Sequence, residues 1–217
     1  MTDARHDLYA FIHKALRAHM THTLLRVGRL DAADADEVAE VRDEVDQLLE
    51  LCAAHVHHEN DVVHAAMEDR APGSTRDIAA EHEQHERDLA ALRRLNADIG
   101  GGPDRVRALY HALAAFVAHN LEHMAEEETR HNAVLWALYS DEELRGIEHR
   151  IHQRVQPRHM TMVMRWMLPH LAPAERAAVL GGVRQAAPAD AFAGLLEMVR
   201  PLLPQRDWRK LTVALGV

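Results

Sequence analysis

The feature that most constrains this chain is a pair of His-xxx-Glu steps, His55/Glu59 and His123/Glu127, each set inside a long helix-compatible run. Four residues is slightly more than one helical turn, so both side chains of a step leave the same face, roughly 6 Å apart at Cβ. An imidazole and a carboxylate stacked in this way inside a helical bundle can share a metal ion. Two such helices can close around a metal pair.

The stripes that carry these steps are apolar. A first helix is expected from about residue 4 to Gly28, with Tyr9, Leu16, Met20, Leu24 and Val27 spaced three and four apart and His13 in register. The acidic stretch Asp31–Asp36 supplies N-caps for a second helix. There Val38, Val41, Val45, Leu48 and Cys52 lead into His55 and Glu59, with Val62 and Ala66 continuing the face. Ala71-Pro-Gly-Ser-Thr75 breaks that helix. A third places Ile78, His82, His85, Leu89 and Leu92 on one face, and Gly100-Gly-Gly-Pro103 ends it. A fourth runs Val106, Leu109, Leu113, Phe116, Asn120, His123, Glu127, Val134 and Leu138. All four helices thus put histidine where a bundle expects leucine, and two also put glutamate there.

Depth along the bundle is an independent constraint. Short loops imply up-down-up-down topology. At 1.5 Å per residue, His13 and His55 lie roughly 22 and 27 Å from the end that their loop closes. His82 and His123 lie roughly 27 and 28 Å from the end closed by the second glycine-rich loop. The histidines converge on one level.

Composition agrees with an all-α antiparallel four-helix bundle: aromatic residues make up 4% of the 217 positions, which disfavours a β-sandwich or barrel. Eighteen histidines outnumber Phe, Tyr and Trp together two to one, and helix propensity does not account for them. A net charge of −9 without a basic stripe argues against nucleic acid as a partner. No apolar run is long enough to span a membrane, and the first residues lack a signal-peptide shape. With Cys52 as the single cysteine, these features suit a cytoplasmic location. The bundle is expected over residues 1–140. Residues 141–217, rich in proline, read as four or five short helices forming an appendage. Within it Met160, Met162, Met164, Trp166 and Met167 make an apolar patch through which a homodimer can form.

The candidate metal ligands are therefore His13, His55, Glu59, His82, His123 and Glu127, with His85 competing with or joining His82. A single histidine on an apolar stripe is more often a hydrogen-bonded core residue, but a core carboxylate without a partner costs several kcal/mol, roughly, and a metal removes that cost. Imidazoles with carboxylates suit Fe, Mn or Zn, whereas calcium asks for more oxygen and a thiolate zinc site for cysteines. His6 lies on the face of His13 and could substitute for it. His57, His58, His64, His119 and His131 flank the site on neighbouring faces.

The layout resembles the hemerythrin-like, or HHE cation-binding, family of four-helix di-iron proteins. The resemblance rests on His13, His55-xxx-Glu59, Glu81-His82 and His123-xxx-Glu127, and covers residues from about 5 to 140. It favours His82 over His85 and implies two iron ions, with manganese or zinc as substitutes, bridged by Glu59 and Glu127. His82 and His85 are three apart, where oxygen-carrying members have two histidines four apart, and their histidine followed five later by aspartate is absent. The implied function is binding or reduction of O₂, peroxide or NO, for sensing, stress protection or iron handling. The alternatives are a di-metal oxidase acting on an organic substrate, and a zinc-bound or metal-free helical interaction module.

Overall fold

A computed structural model describes residues 5–217, and every described element is helical. Helix α1 spans Ala10–Gly28. Its expected start near residue 4 lies outside the described residues. The helix begins later because the Asp7 carboxylate accepts the backbone N–H groups of Tyr9 (2.9 Å) and Ala10 (3.0 Å). Helix α2 spans Ala35–His58, and the Asp34 side chain caps it by accepting from the N–H groups of Asp36 and Glu37. The same rod continues through a π-helical turn, Glu59–His64, into α3, Ala65–Arg70.

Helix α4 spans Arg76–Ala97. Glu68 prepares its entry by accepting from the N–H groups of Gly73 and Thr75 and from the Thr75 hydroxyl. At the next turn Gly102 takes φ +103°, a region that side chains other than glycine's rarely enter. Pro103 then opens α5, Pro103–Glu126, in the position that suits a residue without an N–H. A second π-helical turn, Glu127–His131, leads into α6, Asn132–Leu138.

Helix α1 packs on α2 and α5, and α4 packs on the same two, which closes a four-helix ring. The connections are short, so consecutive rods run antiparallel. Leu16, Met20, Val45, Leu48, Leu92 and Leu113 fill its interior, each essentially inaccessible to solvent.

The apolar stripes change register at both π turns. Ala66 and Val134, expected to face inward, are half-buried, and Met67 and Leu135 take the interior positions with no exposure. A π turn carries one more residue than the α turn that it replaces. A 3.6-residue reading therefore falls one position short beyond each glutamate.

Five helices follow: α7 (Asp141–His152), α8 (Pro157–His170), α9 (Pro173–Ala186), α10 (Ala189–Val199) and α11 (Gln205–Leu215). Ser140 and Glu143 form a capping box at the start of α7. Leu144 and Ile147 on that helix close one end of the bundle against Val62, Val63 and Met67. Helix α8 lies along α1, where Met162 and Val163 pack against the bundle core. Trp166 stacks on His19 with ring centroids 4.2 Å apart. Met167, Leu168, Leu180 and Phe192 anchor a second apolar cluster among α8, α9 and α10. Buried Arg176 donates to the carbonyls of Leu168, Pro169 and Leu171, which satisfies the C-terminal carbonyls of α8. No described helix is long and apolar enough to cross a membrane.

Candidate metal centre

The four rods send side chains to one level of the ring. On α2, His55 Nε2 lies 3.1 Å from Glu59 Oε1, and on α5, His123 Nε2 lies 3.4 Å from Glu127 Oε1. His13 reaches in from α1, its Nε2 3.4 Å from Glu127 Oε2 and 3.8 Å from Glu59 Oε1. His82 reaches in from α4, its Nε2 3.6 Å from Glu59 Oε2 and 3.7 Å from Glu127 Oε1. Two donor groups result: His13, His55, Glu59 and Glu127, and then Glu59, His82, His123 and Glu127, each with ligand atoms within 4.8 Å of one another. Both glutamates belong to both groups. Donors about 2.0–2.2 Å from a common ion stand roughly 3–4 Å from each other, which matches these separations.

Hydrogen bonding on the outer side of the rings explains how they are aimed. His13 Nδ1 faces Glu128 Oε1 at 3.0 Å, and Arg17 grips the same carboxylate with both terminal nitrogens. His82 Nδ1 faces Asn60 Oδ1 at 2.7 Å, and His123 Nδ1 faces Glu81 Oε2 at 2.7 Å. An oxygen acceptor at Nδ1 holds the proton there and turns the Nε2 lone pair inward. With the imidazoles neutral, the inner faces are then all acceptors. The Nε2 atoms of His82 and His123 stand 3.0 Å apart. His13 Nε2, His55 Nε2 and all four carboxylate oxygens of Glu59 and Glu127 are buried without a hydrogen-bond partner. Acceptors facing acceptors in a dry interior repel unless a cation sits among them. The donor set fits a metal pair.

The acid-base character of the groups follows from the same crowding. Burial alone would lower the pKa of His13, but Glu128 and the charges of Glu59 and Glu127 raise it to about 9. Burial likewise opposes, and Glu127 and Glu81 overcome, so that His123 also rises to about 9. His55 is held well below its ordinary value by burial and by its imidazole neighbours, and so stays neutral. Glu59 is pushed up by burial and by the charge of Glu127. Burial would push Glu127 up as well, but His123 and His82 hold it well below the usual carboxylate range.

His85 does not join either donor group. Its ring is buried and meets His123 edge-on at 4.5 Å, with Phe116 on another side. Burial, with His123 and His82 nearby, lowers its pKa to about 3. His6 turns away and pairs with Glu148 of α7 at 3.1 Å. His57 and His119 are exposed, as expected of flanking residues. Cys52 is a buried core residue whose thiol is pushed up to about 12 by burial.

Two histidines expected on neighbouring faces lie inside. His64 and His131 are buried and form a third group with Glu127. His64 stacks on His82 with centroids 4.8 Å apart, and His131 Nδ1 meets the Tyr9 hydroxyl at 3.3 Å. His131 continues the four-residue spacing of His123 and Glu127, a signal present in the sequence. His64, five residues after Glu59, would lie about 140° off the stripe in a straight α-helix. The π turn brings it inside.

A four-helix ring whose rods all present imidazole or carboxylate to one shared centre defines a helical metal-binding protein. Comparison of the sequence with protein families makes this specific. The model of the hemerythrin HHE cation-binding domain matches residues 4–133, and the chain belongs to that family. No curated protein and no solved structure matches the chain.

Proposed function

We propose that this protein holds two iron ions side by side and binds or reduces O₂, peroxide or NO at them, in sensing, stress protection or iron handling. The observation that carries the reading is the pair of buried donor groups that share Glu59 and Glu127 and present only acceptors to each other. One ion would be held by His13 and His55, the other by His82 and His123, with the two glutamates common to both. Imidazole and carboxylate without thiolate suit iron, with manganese or zinc as substitutes. When bound, an iron pair supplies one- and two-electron redox capacity and coordination positions open to a small oxidant.

The remaining work falls to the chain. Asn60, Glu81 and Glu128 hold the Nδ1 protons of three ligands and fix their rings. Tyr9, Val63, Met67 and Leu135, capped by Leu144 and Ile147 of α7, keep bulk water from that side of the site. Two surface grooves, of about 510 Å³ beside Tyr110 and about 550 Å³ beside Arg150, are lined by residues other than these ligands.

The test is metal analysis of anaerobically purified protein, with optical spectra before and after air, peroxide or NO. Two irons per chain and a spectrum that responds are expected, as is a lower melting temperature after chelation. Zinc alone, or iron indifferent to all three ligands, would overturn the reading.

A further inference from the structure

We propose that His64, His131 and Glu127 form a third cation position, abutting the metal pair on the side where α7 closes the bundle, and that it takes a divalent transition-metal ion. The proposal rests on the dinuclear reading, since Glu127 is common to all three donor groups. Its two histidines are residues which that reading does not use.

The three residues offer one ligand atom each within 4.8 Å of one another, and all three are buried. His64 is 5% exposed, and its Nε2 is buried with no hydrogen-bond partner. Its ring lies flat on that of His82, at 8° and 4.8 Å, and stands perpendicular to that of His131 at 5.5 Å. Stacking on a ligand ring fixes its plane without occupying its nitrogens. His131 is anchored from outside, its Nδ1 paired with the Tyr9 hydroxyl at 3.3 Å; in the tautomer with the proton on Nδ1, the Nε2 lone pair faces a metal. Glu127 carries two oxygens with about four lone-pair sites, enough to serve an additional ion.

Backbone geometry supports the same conclusion. Each π turn begins at one of the shared glutamates and ends at one of these histidines, Glu59 to His64 and Glu127 to His131. π turns are uncommon and concentrate at functional sites. Two of them at matching places in two rods turn both imidazoles toward the same carboxylate. With two neutral imidazoles and a carboxylate already engaged by the pair, this position holds an ion more weakly than the pair does. It suits an ion on its way into or out of the centre.

The experiment is a stepwise anaerobic titration of metal-free full-length protein with Zn²⁺ against a competing chelator, followed by a zinc-loaded crystal structure read by anomalous scattering. Wild type is expected to take two ions tightly and a third at least tenfold more weakly, with anomalous density between His64 and His131. His64→Gln and His131→Gln should each lose the third ion and keep the first two, their far-UV circular dichroism unchanged. Saturation of wild type at two ions, with no density between these imidazoles, overturns the third position and leaves the pair standing. Failure to bind two ions overturns the dinuclear reading and this one with it. If a glutamine variant loses helical signal, the anomalous map of wild type alone decides.

Discussion

Glu81 offers the sharpest single test of how the site is aimed. Its carboxylate accepts from His123 Nδ1 at 2.7 Å, while its own side chain is 49% exposed. Removing it leaves His123 in place but frees its ring and tautomer. Loss of such an outer partner weakens metal binding about 10- to 100-fold, or roughly 1.4–2.7 kcal/mol. Water can reach the vacated place, so Glu81→Ala should fall toward the lower end, about 10- to 30-fold. The loss should be confined to one ion, because His123 belongs only to the group that contains His82. Asn60→Ala, which frees His82, should weaken the same ion, and Glu128→Ala, which frees His13, should weaken the other. Glu81→Gln keeps an acceptor without the charge and should recover part of the loss. Fold stability should change little, by less than about 1 kcal/mol, since a half-exposed ion pair contributes little. The assay is stepwise metal titration against a chromophoric chelator, paired with urea denaturation of the metal-free variants. Unchanged affinity would show that His123 is no ligand. Equal weakening of both ions would show that Glu81 acts through the fold and not through one ring.

Four further outcomes are expected. Glu59→Ala and Glu127→Ala should abolish two-metal binding while His57→Ala, exposed on α2, retains two ions by elemental analysis, because each glutamate serves both donor groups. Metal binding at pH 7 should release about two protons, since His13 and His123, raised to about 9, are charged until a metal replaces the proton; calorimetry in buffers of different ionisation enthalpy counts them. By the same sign, the stability that these two protonated rings give the metal-free protein is complete below pH 6.5 and lost as pH rises through about 9, visible as a falling urea midpoint. His19, lowered to about 3 chiefly by burial beside Trp166, works in the opposite direction: its contribution is present above pH 6.5 and falls away toward pH 3, by roughly 2 kcal/mol at pH 5, and His19→Leu should flatten that acid limb.

The fold and most of the donor set were legible because both obey the same period. His13, His55, Glu59, His82, His123 and Glu127 sit at three-four spacing among leucines and valines, so the rule that finds the core finds them too. His85 obeys that spacing equally well, yet it meets Phe116 and the edge of His123. Periodicity assigns a face and says nothing of how deep a ring reaches. His64, Met67 and Leu135 escaped because the π turns change the period just beyond the glutamates, and no residue type there announces a wider turn. The outer acceptors Asn60 and Glu128 escaped for another reason. Each directly follows a shared glutamate in sequence and reads as an ordinary polar residue on a helix flank; its role exists only once a neighbouring helix brings a histidine beside it.

That placement also explains how a bundle tolerates so many polar groups at its centre. Six buried acceptor atoms of His13, His55, Glu59 and Glu127 lack hydrogen-bond partners, and each such atom costs roughly 1–3 kcal/mol. A sum of that size rivals the whole stability of a domain, about 5–15 kcal/mol. Cations are therefore part of what holds the interior together: protons on His13 and His123 in the metal-free state, metal ions in the loaded one. The charge is not sealed in, however. From fully buried Glu127 it passes through His13 to Glu128, whose side chain is 28% exposed, and on to Arg17 at 32%. A second path runs from Glu127 through His123 to half-exposed Glu81. Each path ends where water can solvate its last member, so the desolvation cost concentrates on the two glutamates and the inward ring nitrogens. Those are the atoms that a pair of metal ions would cover.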